Sequence, residues 1–220
     1  MTHALLDAQS ESAVKQRVAA LEAATGVETV VAVIARADSY PEIPWKAFAL
    51  GASLAALAAA VAALREPEWE ALTAVVETTI AVLAVGGAAA IATVWVEPLA
   101  RQFLPQSRRE SEVLQYAQAL FLESGLLRTE HRNAVLLLVS RFEHQVAIVA
   151  DHGVRDRVGA TELDSVVAAV TTQLARGQLK DGLVDGLARL EQVLLAQGFR
   201  PRADVANGIS DTVIQRQGPS

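Results

Sequence analysis

The chain contains no cysteine. Disulfides and Cys-based zinc sites are therefore excluded, and the redox compartment is left open. Aromatic residues occupy only 5% of the 220 positions although 52% are apolar, so the hydrophobic excess is largely alanine, valine and leucine. The mean hydropathy of +0.29 is high for a soluble protein. Basic charge is scarce: the net charge is −6 and the pI is near 5.3. A nucleic-acid partner is not expected, because such a footprint is basic. Signatures of the common hydrolases are missing as well, with no P-loop, no G-x-S-x-G and no H-E-x-x-H. The N-terminal stretch lacks the positive region and unbroken apolar core of a secretory signal peptide, and it reads instead as a polar amphipathic helix.

That helix is predicted over residues 8–25, with Val14, Val18 and Leu21 at i, i+4, i+7 and Gly26 as its C-terminal stop. "VETVVAVIA" (27–35) is β-branched and nearly all apolar, which fits a strand buried on both faces. Asp38 closes it, and Pro41 and Pro44 are expected to bar regular structure until Trp45.

Two long apolar runs follow, 45–64 and 71–96, joined by the polar turn "REPEWE". Twenty helical residues span about 30 Å, one hydrocarbon core. Trp45, Trp69 and Trp95 flank the runs as an interfacial belt does. A transmembrane hairpin in the lipid bilayer is expected; an Ala-rich hairpin buried in a soluble protein is the other reading. Small-residue ridges are expected to pack together, Gly51, Ala55, Ala59 and Ala63 on one helix and Ala84, Ala88 and Ala92 on the other. The turn carries one Arg and three Glu, whereas the opposite ends of the runs carry Arg36 and Lys46 on one side and Arg101, Arg108 and Arg109 on the other. By the positive-inside rule both termini are cytoplasmic, in an inner membrane. Glu77, about 12 Å inside Trp69, is a costly position for a carboxylate. It is either neutral and bonded to Thr73 or Thr78, simply interfacial, or matched to a basic residue of another membrane subunit.

Beyond the hairpin, 108–126 is helical in pattern and continues the second span, with Pro98 or Pro105 as a kink. Residues 133–151 read as a β-hairpin turning at "RFEH", and 161–178 and 179–198 as two helices. Thr161 is the expected N-cap of the first, with Asp164 at the capping-box position. The economical architecture is one α/β domain, formed by residues 1–37 and 101–214, with a helical hairpin at 45–96 inserted after its first strand. Residues 215–220 are expected to be a disordered tail.

Residues 121–154 ("FLESGLLRTEHRNAVLLLVSRFEHQVAIVADHGV"), the helix "DGLVDGLARLEQVLLAQGF" (181–199) and "DVANGISDTVI" (204–214) together resemble the TPM-domain family. The resemblance implies a central mixed sheet covered by helices. It also implies a membrane anchor, since members include a thylakoid-lumen protein linked to photosystem II repair and a nematode protein that modulates an ion channel. Some members are described as weak acid phosphatases or divalent-cation binders. The internal hairpin departs from the family's usual terminal anchor.

Ligands of α/β sheets gather beyond strand carboxyl ends, and hard cations want several oxygen donors. If the first and third strands run parallel, Asp38 and Asp151 share an edge that Asp156 also reaches. That set is the candidate Ca²⁺ or Mg²⁺ site; Asp204 and Asp211 lie in the tail segment, and Thr129 and Asn133 precede the second strand. The other explanation is that each aspartate caps a turn or helix. His3, His131, His144 and His152 lie in or beside turns at spacings that match no helical metal pair. The expected function is a non-catalytic accessory or assembly subunit of a larger membrane complex, with no cofactor required. The alternative is a membrane-tethered, cation-dependent phosphatase.

Overall fold

The computed structural model describes residues 5–64, 71–126, 132–201 and 213–219. The chain divides into two compact units, residues 1–38 with 107–220 and residues 39–106.

The first unit is built on β1 (Glu28–Ile34), a strand whose seven residues are all buried. Its β-branched run suits a site covered on both faces. Beside it lie β2 (Ala134–Ser140) and, on the other edge, β4 (Ile214–Arg216), both parallel to β1. β3 (Gln145–Ala150) pairs antiparallel with β2, so the sheet is mixed, in the order β3-β2-β1-β4. Alternation of side chains splits the core in two. Val31, Val33, Leu137 and Val139 face the helices α1 (Ala8–Thr25), α7 (Ala160–Ala175) and α8 (Leu179–Ala196). Val30, Ala32, Leu136 and Leu138 face α5 (Gln106–Glu123) through Val113, Ala117, Leu120 and Phe121.

Local signals explain most boundaries. Asp7 caps α1 by accepting the Ser10 N–H at 2.6 Å, and Gly26 ends it at φ 67° with its own N–H on the Glu22 carbonyl. α7 starts two residues ahead of the expected cap. Gly159 is its N-cap and makes no side-chain bond, so Thr161 lies inside the first turn. In α8, Gly186 lets Val170 of α7 approach closely.

The second unit holds α2 (Glu42–Ala63), α3 (Ala71–Trp95) and α4 (Glu97–Gln102). α2 begins before Trp45, contrary to the expected proline block. Pro41 is its N-cap and Pro44 stands in the first turn, where a missing N–H leaves no helical bond unmade. Nor is there one kinked helix after α3. The chain breaks at Val96, and Pro98 sits in the first turn of α4.

Candidate functional site

Two places on the described residues carry the candidate chemistry: the ends of the sheet and the helical pair α2–α3. At one end of the sheet, Asp151 follows β3 and is buried, 3% exposed. Its Oδ1 accepts the His152 N–H at 2.7 Å, which starts the four-residue α6 (His152–Arg155), and the Arg132 Nε at 3.2 Å. Oδ2 lies 3.1 Å from the same guanidinium. Asp156 is exposed and pairs with His152, Nδ1 to Oδ1 at 3.2 Å.

Asp38 is elsewhere. Because β3 runs antiparallel to β2, and β2 parallel to β1, the first and third strands are antiparallel. The seven-residue strand separates Asp38 from Asp151 by about 20 Å. The expected shared edge does not form, and Asp38 instead faces Arg108 at 3.6 Å. Among the described residues no three His, Cys, Asp or Glu side chains gather as a metal would require. Asp204, Asp211, Thr129, His3 and His131 lie outside the described residues.

The opposite end holds a buried carboxylate with no counterpart in the sequence-based expectations. Glu143, in the β2–β3 turn, is completely buried. Its Oε1 accepts the Ala37 N–H at 2.9 Å, and its Oε2 accepts the Ser140 hydroxyl. The Arg141 and Phe142 N–H groups bond the Ile34 and Ala35 carbonyls, and Arg36 lies over the Phe142 ring at 4.1 Å. A hydroxyl beside a carboxylate resembles a nucleophile with its base. Here both partners are fully buried, so the pair fastens the exit of β1 to the turn and offers no surface to a substrate.

The helical pair is built inside out. Leu50, Leu54, Leu57 and Val61 of α2 and Ile80, Leu83, Ile91 and Val94 of α3 all point outward. The contact is made by small residues. A Cβ on Gly51 would lie 2.9 Å from Ala89 Cβ and 3.1 Å from the Val85 carbonyl, and one on Gly86 would strike the Phe48 ring. Gly51, Ala55 and Ala59 thus lie on the covered side as expected, but Ala63, Ala84 and Ala88 are exposed. The α3 ridge is Thr78, Val82, Gly86 and Ala89, because Gly86 makes room for Phe48. Two hydroxyls of α3 bond carbonyls of the same helix, Thr79 that of Val75 and Thr93 that of Ala90. Trp45 and Trp95 are exposed, 74% and 82%, and the antiparallel pairing puts them at the same end of the hairpin. Glu77 is exposed on the outer face of α3; Trp69 lies outside the described residues. Both helices are long and apolar enough to cross a membrane, with mean hydropathy 1.7 and 1.9.

The family model of the TPM domain matches residues 74–193, more than half of the chain. The chain belongs to the TPM-domain family. The match begins inside α3 and ends in α8, so it takes in the β2–β3 hairpin, Asp151 and Glu143 but not β1. The TPM chain is also similar to the NMR structure of BA42 protein from the psychrophilic bacterium Bizionia argentinensis. That likeness has a TM-score of 0.59 and 16% identity and covers 98% of each chain. At this identity it speaks for the fold. Comparison with curated proteins yields no match.

Proposed function

We propose that this TPM protein is a membrane-anchored, non-catalytic accessory or assembly subunit of a larger membrane protein complex. The α2–α3 hairpin spans an inner membrane, and the TPM domain is held on its cytoplasmic face. The observation that carries the reading is the inversion of α2 and α3, whose large apolar side chains point outward over small residues. A hairpin in water would do the reverse, and a surface of that extent demands lipid or protein cover. The basic residues flanking the hairpin on the side of the termini, Arg36, Lys46 and Arg101, support the orientation. Against catalysis stands the employment of the candidate groups: Asp151 caps a helix and neutralises Arg132, and Glu143 is sealed.

Purification in mild detergent after in-cell cross-linking tests the role. Co-purification of an integral membrane complex is expected, and migration of the chain alone would overturn it. Glu77→Gln tests the partnered setting of that carboxylate against the other two, since weakened assembly indicates a basic partner in the membrane. The phosphatase alternative is tested with a phosphomonoester assay, in which activity lost on Asp151→Asn would reverse the preference.

A further inference from the structure

The sheet has an unused edge. β3 bonds β2 on one side, and no strand among the described residues pairs with the other. The Asp151 N–H bonds the Ala134 carbonyl, which fixes the alternation of the antiparallel ladder. Gln145, Ala147 and Val149 therefore bond β2, while Val146, Ile148 and Ala150 turn their N–H and C=O groups outward. One outward carbonyl, that of Ala150, takes the Arg155 guanidinium at 3.2 Å. Soluble domains usually blunt such an edge with charge, proline or a covering element. This edge has a groove instead, about 540 Å³ in volume, between α5 and α7 and floored by all six residues of β3. A second hollow of about 650 Å³ continues it past Val149 and Ala150 to Arg132 and His152.

The exposed apolar surface of this unit lies at the same place. Leu114 and Leu122, both on α5, are its large hydrophobic residues that stand exposed among the described residues, at 44% and 63%. Leu114 lines the first hollow and Leu122 the second. Leu163 and Val167 of α7 supply an apolar wall opposite. At the Ala150 end the cations Arg132 and Arg155 gather.

We infer that the β3 edge is a docking groove for an extended peptide segment of a partner protein, which adds to the sheet as a fifth strand. This rests on the accessory reading above and names the surface that would serve it. A single strand suits the recess, because a second copy of this domain would bring an edge equally recessed between its own helices, and the two strands would be held apart. The occupant has apolar side chains at alternate positions, to meet Leu114 on one face and Leu163 and Val167 on the other, and an acidic side chain at the end beside Arg155, since Arg132 is already paired with Asp151. Main-chain bonds to Val146 and Ile148 supply affinity, and the alternation supplies selectivity.

The test pans the full chain in lipid nanodiscs with a displayed library of random short peptides and maps bound peptides by backbone amide exchange. Expected are enriched sequences that alternate apolar residues and end in an acid, with new protection at Val146 and Ile148. Ile148→Pro deletes an outward N–H without touching a β2 bond, and should weaken binding at least about tenfold. Unchanged exchange at β2 confirms that this variant is folded. Leu114→Glu with Leu122→Glu, both exposed, should weaken binding by a similar factor. No enrichment over Ile148→Pro, protection elsewhere, protection on self-association alone, or protection by lipid alone would each overturn the proposal. The accessory role fails separately, by absence of any co-purified complex. If a complex co-purifies undiminished with Ile148→Pro, only the groove is refuted.

Discussion

Replacing Glu143 should destabilise the TPM domain more than any surface change, and the amount depends on what is left behind. The carboxylate is wholly buried, and its donors include the Ala37 N–H and the Ser140 hydroxyl. Glu143→Leu keeps the bulk but orphans both. A buried unsatisfied donor costs about 1–3 kcal/mol, and the serine hydroxyl can swing to a carbonyl, so the loss is about 2–4 kcal/mol. Glu143→Gln keeps an acceptor for Ala37 and presents an amide to a hydroxyl able to accept; only the charge assistance goes, about 1 kcal/mol. Ser140→Ala in the leucine background removes one orphan and should regain about 1 kcal/mol, a clear departure from additivity. Urea titration of the full chain in mild detergent, followed by exchange at the β2 amides, reports this unit alone. If Glu143→Leu matches the wild type within about 0.5 kcal/mol, or the double variant is simply additive, the carboxylate does not fasten β1 to the turn.

Gly86→Val should force α2 and α3 apart, since even a Cβ there meets the Phe48 ring at 2.9 Å. In this cysteine-free chain, Ala55→Cys with Val82→Cys should cross-link readily, and much less when Gly86→Val is added. The Asp7 carboxyl titrates below its ordinary value, chiefly because of the Ser10 N–H and then the Ser10 hydroxyl. A lowered folded value means its contribution is full above the unfolded pKa and fades as pH falls through the folded one. Asp7→Ala should therefore lower the urea midpoint at neutral pH, and the difference should vanish in strong acid. Calorimetric titration with Ca²⁺ or Mg²⁺ at millimolar concentration should give no heat that Asp151→Asn abolishes, because Asp38 and Asp151 occupy opposite ends of the sheet.

Periodicity made the longer elements legible. Val14, Val18 and Leu21 placed α1, the apolar run at 27–35 placed β1, and "RFEH" marked the β2–β3 turn. Shorter pieces left no period to read: α4, α6 and the three-residue β4 are each under two turns or rungs of regular pattern. The site was less legible, for a topological reason. Sequence placed Asp38 and Asp151 after strands, but strand direction decides which ends meet, and one antiparallel partner moved them apart. Glu143 carries no pattern of its own that marks it as buried, because a glutamate in a turn ordinarily faces water. The available signal was Ser140 three residues earlier, at the end of a strand apolar until that point. On α3 the alanines suggested a ridge, yet the glycine set the contact, since close approach goes to the smallest residue.

The central position of β1 has a consequence for the order of events on the ribosome. Its neighbours are β2, in register Glu28 with Ala134, and β4, in register Ala32 with Ile214. Neither exists when β1 emerges. At about 5–20 residues per second, β1 waits several seconds for its first partner, and longer for the second. The hairpin helices are made within that interval. A seven-residue, largely apolar strand with two open edges therefore persists while α2 and α3 are made, and the nascent chain is expected to need a holding chaperone until residue 140 has been added.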